Sequence, residues 1–324
     1  MTTGITRRGL ALLAAGGLAM PALAQEAAWP TRPVRIIVPF GAGGSADIAA
    51  RNVAEALSQS LGQPFVIENR PGAGAVIGTD VVAKAQPDGY TILMMSNTHT
   101  ANETLIPNRP YVLMRDLAAV AAVNVAHHVL AVHPSLGVNS VAELIAKAKA
   151  APGTIDYASS GPGTPYHIAG EVFRAMTGIE IQHIPFRSSG EARTALISGT
   201  VPMMFDAIPT MEPHLQGGRA KGLATTGPQR DPLLPSLPTV AETVAGYEAS
   251  IWLGLMAPVA MPKPIVEKLN AAVNAWLARP QTRDAMAKQG AQPMPMALAE
   301  FDSFLRKDVE TQRDYVRMAK IELN

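Results

Sequence analysis

Cysteine is absent from all 324 residues. That excludes a disulfide framework, a thiolate nucleophile and any Cys-ligated metal. A chain without thiols also tolerates an oxidising compartment. Excess charge of either sign is missing too: 27 Lys and Arg face 26 Asp and Glu, a formal net charge of +1. Neither a nucleic-acid footprint nor a polybasic membrane patch is compatible with that balance. Past residue 25 no apolar run reaches the roughly 18 residues that cross a bilayer. Low-complexity tracts and short-period repeats do not occur. Gly41-Ala42-Gly43 and Gly72-Ala73-Gly74 begin a dinucleotide fingerprint, but Ala46 and Ile77 stand where its third glycine belongs. No Walker sequence and no G-x-S-x-G elbow occur. Neither a cofactor nor a metal ion is expected.

What is present begins with an export signal. Arg7 and Arg8 form a positive region, Gly9 to Met20 is apolar or small, and Ala22-Leu23-Ala24 offers an A-x-A cleavage pattern. The paired arginines give residues 1–24 a twin-arginine-like character. Their removal takes two from the 27 basic residues and leaves 25 against 26 acids, a net charge of −1.

The rest of the chain, 48% hydrophobic overall, is long enough for two domains. Short apolar runs alternate with amphipathic helical patterns. Val34–Val38, Phe65–Glu68 and Thr91–Ser96 read as strands, with helices over Ala46–Leu61 and Val76–Ala85 between them. Ser45 is the expected N-cap of the first helix, and Gly62 ends it. The pattern restarts near residue 127 with a strand at Val129–Val132. A capping box at Ser140 and Glu143 opens a helix to about Ala150. Strands at Ile155–Ser159, Ile181–Phe186, Val201–Phe205 and Leu223–Thr225 follow, with helices at Pro165–Met176 and Glu191–Ser198. After a Pro-rich stretch come a strand at Ser250–Ala257 and helices at Ile265–Ala278, Thr282–Gln289 and Leu298–Met318. This is an α/β chain of two parallel-sheet domains. Residues 25–124 plus 248–324 are expected to form the first domain and 125–247 the second, with the helical tail folded back onto the first. Two crossings then make a hinge.

Ligands of such sheets bind at the turns that follow the strands. Those turns are Pro39 to Asp47, Ser96 to His99, Ser159 to Pro165, Arg187 to Gly190 and Asp206 to Thr210. Most are rich in Gly, Ser or Thr. Glycine lets a ligand approach the main chain, and the amides at a helix start bind anions. Facing turns of this kind grip a carboxylate without many cations. Ser96 and Arg187 are candidate contacts on this reasoning. Phe40 is either an apolar wall for the ligand or a core residue. Asp47 either touches the ligand or ties down its own loop. His167 either faces the cleft or holds the loop before it. Catalytic groups do not assemble: Ser159 has no positioned base and acid in sequence, and paired carboxylates at a strand end are missing. His127 and His133 share a strand face but lie about 20 Å apart, too far to share one ion.

Several segments in order resemble one family: Trp29-Pro30-Thr31-Arg32-Pro33, Pro39-Phe40-x-x-Gly43-Gly44-x-x-Asp47, Glu68-Asn69-Arg70-Pro71-Gly72-Ala73, Pro87-Asp88-Gly89-Tyr90-Thr91, Tyr157-Ala158-Ser159, Met204-Phe205-Asp206 and Leu237-Pro238-Thr239-Val240. The chain from Trp29 onward is similar to the Bug-type solute receptors of tripartite tricarboxylate transporters. The resemblance implies a two-domain periplasmic-binding-protein (Venus-flytrap) fold with a ligand cleft between the domains. It implies a monomeric periplasmic receptor, not an enzyme, with a small organic carboxylate as ligand and membrane permease subunits as partners. It also implies ligand contacts at Phe40, Gly43, Gly44, Ser45 and Asp47 in one domain, and at Ser159, Gly163, Thr164, His167 and Asp206 in the other. Pro185-Phe186-Arg187-Ser188 departs from the family's usual Pro-Tyr-Lys-Gly; Arg187 either pairs with a second carboxylate or points to solvent. A periplasmic sensor of the same fold, or an enzyme acting on a carboxylic acid, are the alternative functions.

Overall fold

The computed structural model describes Met1 and residues 29–322. The expected export signal, Met1 apart, lies outside the described residues. The first unit is β1 (Val34–Val38), α1 (Ser45–Leu61), β2 (Phe65–Asn69), α2 (Val76–Ala83) and β3 (Thr91–Ser96). β1 runs parallel between β2 and β3. Val34, Ile36 and Val38 are buried beneath Ala46, Ala50 and Val53 of α1, so the small alanines let the helix lie close on the sheet. Gly62, in the left-handed region at φ 74°, closes α1 as expected.

Several elements were not foreseen in sequence, among them the helix Ile208–Gln216 and the short strand Ala291–Pro293. The segment Asn97–Leu105 is a helix, α3, although it carries no apolar stripe. Its buried polar side chains bond locally instead: Ser96 and His99 form a capping box, and Thr100 Oγ1 donates to the Asn97 carbonyl. After a single turn, α4 (Leu113–Asp116), comes β4 (Leu117–Val132), far longer than the expected strand at Val129–Val132. Its first half, Leu-Ala-Ala-Val-Ala-Ala-Val, is rich in helix formers. Burial on both faces overrides that propensity, with Ala121 in one core cluster and Ala122 in another.

The remaining elements are α5 (Val141–Ala150), β5 (Ile155–Ser159), α6 (Pro165–Thr177), β6 (Ile181–Pro185), α7 (Ser189–Ile197), β7 (Met203–Ala207), α8 (Ile208–Gln216) and β8 (Lys221–Thr225). Then follow β9 (Ser250–Pro258), α9 (Lys263–Leu277), α10 (Pro280–Lys288), β10 (Ala291–Pro293) and α11 (Leu298–Met318). Ser140 caps α5 as expected, but Glu143 reaches back to the Asn139 amide rather than that of Ser140.

β4 joins two halves of one curled sheet, in the order β2-β1-β3-β9-β4-β7-β5-β6. Residues 117–127 of β4 pair with β9, and 128–132 pair with β7 and β8. Register shifts between Ala119 and Ala121 and between Ala122 and Asn124 bend the strand on its way across. The result is the α/β, two-domain periplasmic-binding-protein fold, here called two lobes. The tail departs from expectation. α11 begins on the first lobe, with Phe301 edge-on to Trp252. Its end crosses over: Val316, Ala319 and Ile321 belong to the core cluster that contains Val172 and Phe173 of α6. Among the described residues, no helix is long and apolar enough to cross a membrane.

Candidate functional site

The turn after β1 and the turns of the second lobe meet face to face. Between them lies a narrow cavity of about 30 Å³. The first lobe supplies Phe40, Gly44, Ser45 and Ser96, and the second supplies Ser160, Tyr166, Arg187 and Ser189, among others. A wider vestibule adjoins it, lined by Phe40, Gly72 to Ala75, Ser160, Pro162, Thr164 and Arg187.

The lobes touch around this cavity. A Cβ placed on Gly41 would lie 2.6 Å from Ser188 Cβ, and one on Gly44 would lie 2.9 Å from Ser189 Oγ. Glycine at these two positions is therefore what permits the approach. The Ser45 hydroxyl meets the Tyr166 phenol at 3.0 Å, one group from each lobe.

Helix starts surround the cavity. Gly44, not Ser45, is the N-cap of α1, so this cap has no side-chain acceptor. Ser45 is the first helical residue, and its hydroxyl is spent on Tyr166 instead. The first amides of α1 therefore lack both an intrahelical partner and a cap. Ser188 caps α7 by accepting from the Glu191 amide, which directly follows Ser189 and Gly190. Ser96 caps α3 through the Thr98 amide. Thr164, the N-cap of α6, sends its hydroxyl to the Gly161 carbonyl at 2.7 Å rather than to its own helix. Arg187 is the single cationic side chain on the cavity wall among the described residues.

The other expected contacts lie behind the walls. Asp47 is buried; it accepts from the Gly43 amide and Asn69, and pairs with both ends of the Arg51 guanidinium. Burial pushes its carboxyl up, but those hydrogen bonds outweigh it and hold the group below the ordinary value. Gly43 turns the loop at φ 77° and lies exposed on it. Both residues thus build the loop rather than line the cavity. His167 accepts from the Gly163 amide at 3.0 Å, which occupies both of those residues in holding the second loop. Ser159, fully buried, bonds to His183 Nε2 at 2.6 Å. His183 stacks on His167 with centroids 4.0 Å apart. Burial lowers the His167 pKa to about 4 and that of His183 to about 3. Asp206 is sealed in the second lobe, salt-bridged to Arg193 at 2.7 Å and hydrogen-bonded by Thr210. Burial raises its carboxyl despite that arginine.

Tyr166, Ser188, Ser189, Ser160 and Ile251 reach the cavity without having been singled out. The serines lay in turns already marked as Ser-rich. Tyr166 had only its place in the first turn after Pro165, and Ile251, on a strand from the far end of the chain, gave no signal. His128 and His133 do not converge: His128 packs on Tyr166 at 5.0 Å, and His133 bonds to Ser135. Among the described residues no three His, Asp or Glu are placed to hold a metal ion.

Known proteins share this fold. Residues 49–320 match the family model described as the tripartite tricarboxylate transporter family receptor, TctC. The chain is 36% identical over 310 residues to Protein BugT of Bordetella pertussis, covering 94% of each. It superposes with a TM-score of 0.88 and 34% identity on Rpa4515 of R. palustris, solved with adipate, over 91% of this chain and 99% of that one. It superposes with a TM-score of 0.84 and 30% identity on MatC from Rhodopseudomonas palustris, solved with bound malate, over 89% and 99%. The chain belongs to the TctC family of tripartite tricarboxylate transporter receptors.

Proposed function

We propose that this protein is a periplasmic receptor that closes its lobes on a small organic carboxylate, leaves it chemically unchanged and delivers it to the permease subunits of a tripartite transporter. The observation that carries the reading is the cavity between the lobes, ringed by helix starts and holding a single arginine. Uncapped amides of α1 and the first amides of α7 approach one space from opposite sides. Each charge-assisted hydrogen bond to a carboxylate contributes about 1.5–3 kcal/mol. Helix dipoles of the same sense add to the attraction.

Phe40 and Ile251 provide apolar wall for a carbon skeleton, and Arg187, shared with the vestibule, suits a second anionic group. The adipate and malate complexes of two relatives support a carboxylate ligand. Of the twelve sequence candidates, Phe40, Gly44, Ser45, Ser96, Thr164 and Arg187 are proposed as wall residues. Gly43, Asp47, Ser159, Gly163, His167 and Asp206 are proposed to position the loops from behind. The hinge is proposed in β4 and at the start of β9, dividing 25–124 plus 248–324 from 125–247, with the end of α11 reaching across onto the second lobe.

An enzymatic reading finds its best nucleophile–base pair in Ser159 and His183, but the Ser159 hydroxyl is sealed beneath the wall. A thermal-shift screen of mature protein against mono-, di- and tricarboxylates, with adipate and malate included, tests the proposal. An acid at 100 times its dissociation constant should stabilise by about 2.7 kcal/mol. Stabilisation by none of them, or consumption of the acid on incubation, contradicts it.

A further inference from the structure

The narrow cavity of about 30 Å³ limits what it can hold. One water needs about 10–15 Å³ of such space, so a carboxylate group fits and little else does. The body of the ligand then belongs in the adjoining vestibule, which holds about 430 Å³ and shares Phe40, Ser160 and Arg187 with the cavity. That volume lies in the ordinary range for a ligand pocket and well exceeds the roughly 150 Å³ that takes up benzene.

The walls of the vestibule say what kind of body fits. Five rings line it: Pro39, Phe40 and Pro71 from the first lobe, and Pro162 and Phe186 from the second. Among the described residues no Asp, Glu, Lys or His does. The Thr164 hydroxyl is committed to the Gly161 carbonyl, so Ser160 is the remaining hydroxyl on the wall. A body rich in hydroxyls or amines would lose its water there for few side-chain partners. Arg187 pairs with no acid among the described residues. The face of its guanidinium can stack on a ring while its edge meets an anion.

The backbone around the vestibule is strained. Ala73 and Ala75 stand at φ 47° and 75°, between Gly72 and Gly74, which also have positive φ. Alanine resists the left-handed region, and strain of this kind collects at ligand clamps. The loop is fixed in that shape by buried Asn102, whose Nδ2 donates to the Gly74 carbonyl at 2.8 Å. A Cβ placed on Gly74 would lie 3.2 Å from the Pro162 carbonyl oxygen, so the lobes meet at the vestibule as they do at the narrow cavity.

An aliphatic chain would fill the same apolar space, but only a π-face also engages Arg187 and the rings of Phe40 and Phe186. We propose that the vestibule is a ring site and that the ligand is an aromatic carboxylic acid. Its carboxylate enters the narrow cavity and its ring lies in the vestibule, with Arg187 at the junction. This rests on the carboxylate-receptor reading above and narrows the class of acid.

The test is calorimetric titration of the mature protein with benzoate and phenylacetate, run beside cyclohexanecarboxylate, adipate and malate. The tighter aryl acid should bind about tenfold or more tightly than adipate and malate. It should also bind several-fold more tightly than cyclohexanecarboxylate, which has a ring but no π-face. Phe186→Leu keeps apolar bulk and should weaken the tighter aryl acid about fivefold, removing most of its advantage over cyclohexanecarboxylate. Adipate, malate or cyclohexanecarboxylate bound as tightly as the aryl acids overturns the ring site and leaves the receptor reading standing. An aryl advantage that survives Phe186→Leu intact overturns the ring site too. Should that variant fail to fold, the ranking of acids on the unaltered protein decides. Binding of none of these acids counts against both readings.

Discussion

Ser45 Oγ and Tyr166 Oη stand 3.0 Å apart, the one on α1 of the first lobe and the other on α6 of the second. The pair exists only when the lobes are together. Tyr166→Phe should therefore weaken carboxylate binding while leaving the melting temperature of the free protein nearly unchanged. A neutral hydrogen bond contributes about 0.5–1.5 kcal/mol, so the loss should be about two- to tenfold by calorimetry. An equal loss in Ser45→Ala, with no further loss in the double variant, confirms that the two act as one contact.

Gly41 and Gly44 test the approach of the lobes more severely. A methyl on Gly41 collides with Ser188, and one on Gly44 with Ser189. Overpacking of this kind costs about 1–3 kcal/mol, so Gly41→Ala should weaken binding about five- to 150-fold. Gly44→Val should abolish it. Both variants should melt like the parent, because the clash arises only on closure. Unchanged affinity in both would show that this loop does not meet its partner in the bound state.

Asp47 should behave differently from the wall residues. Its carboxylate ties the Gly43 amide, Asn69 and Arg51 into one loop. Asp47→Asn should lower the melting temperature, with affinity falling as a consequence of the loosened loop. A large affinity loss at unchanged melting temperature would instead assign Asp47 to the ligand.

Acid should destabilise the fold through its buried histidines. Burial lowers His99 and His167 to about 4 and His128 and His183 to about 3, against about 6.5 when unfolded. A group depressed in the folded state binds more protons once unfolded, so stability is full above 6.5 and falls with pH through the folded values. Asp206 and Asp308, raised by burial, offset this in part at the acid end. Melting temperatures should decline steadily from about pH 6.5 to pH 4. A flat profile over that range would mean these rings are not held neutral by burial.

Much of this was legible in the residues. Period-two and period-3.6 patterns placed most strands and helices because each has one buried face. They failed where that condition fails: β4 is buried on both faces and rich in alanine, and α3 buries mostly polar side chains. The Gly- and Ser-rich turns line the cavity proposed as the site, since backbone access leaves a compositional mark. Which residues line it did not follow. Asp47 and His167 stand in the right turns but point into their own loops, and Tyr166 reaches the cavity by a helix rotation that spacing alone does not reveal.

The most direct measurement is a crystal structure of the mature protein with the acid that stabilises it best. The account predicts a carboxylate group between the starts of α1 and α7, within hydrogen-bond distance of main-chain amides from both lobes. A carboxylate held elsewhere, or held by side-chain cations of one lobe alone, would contradict it.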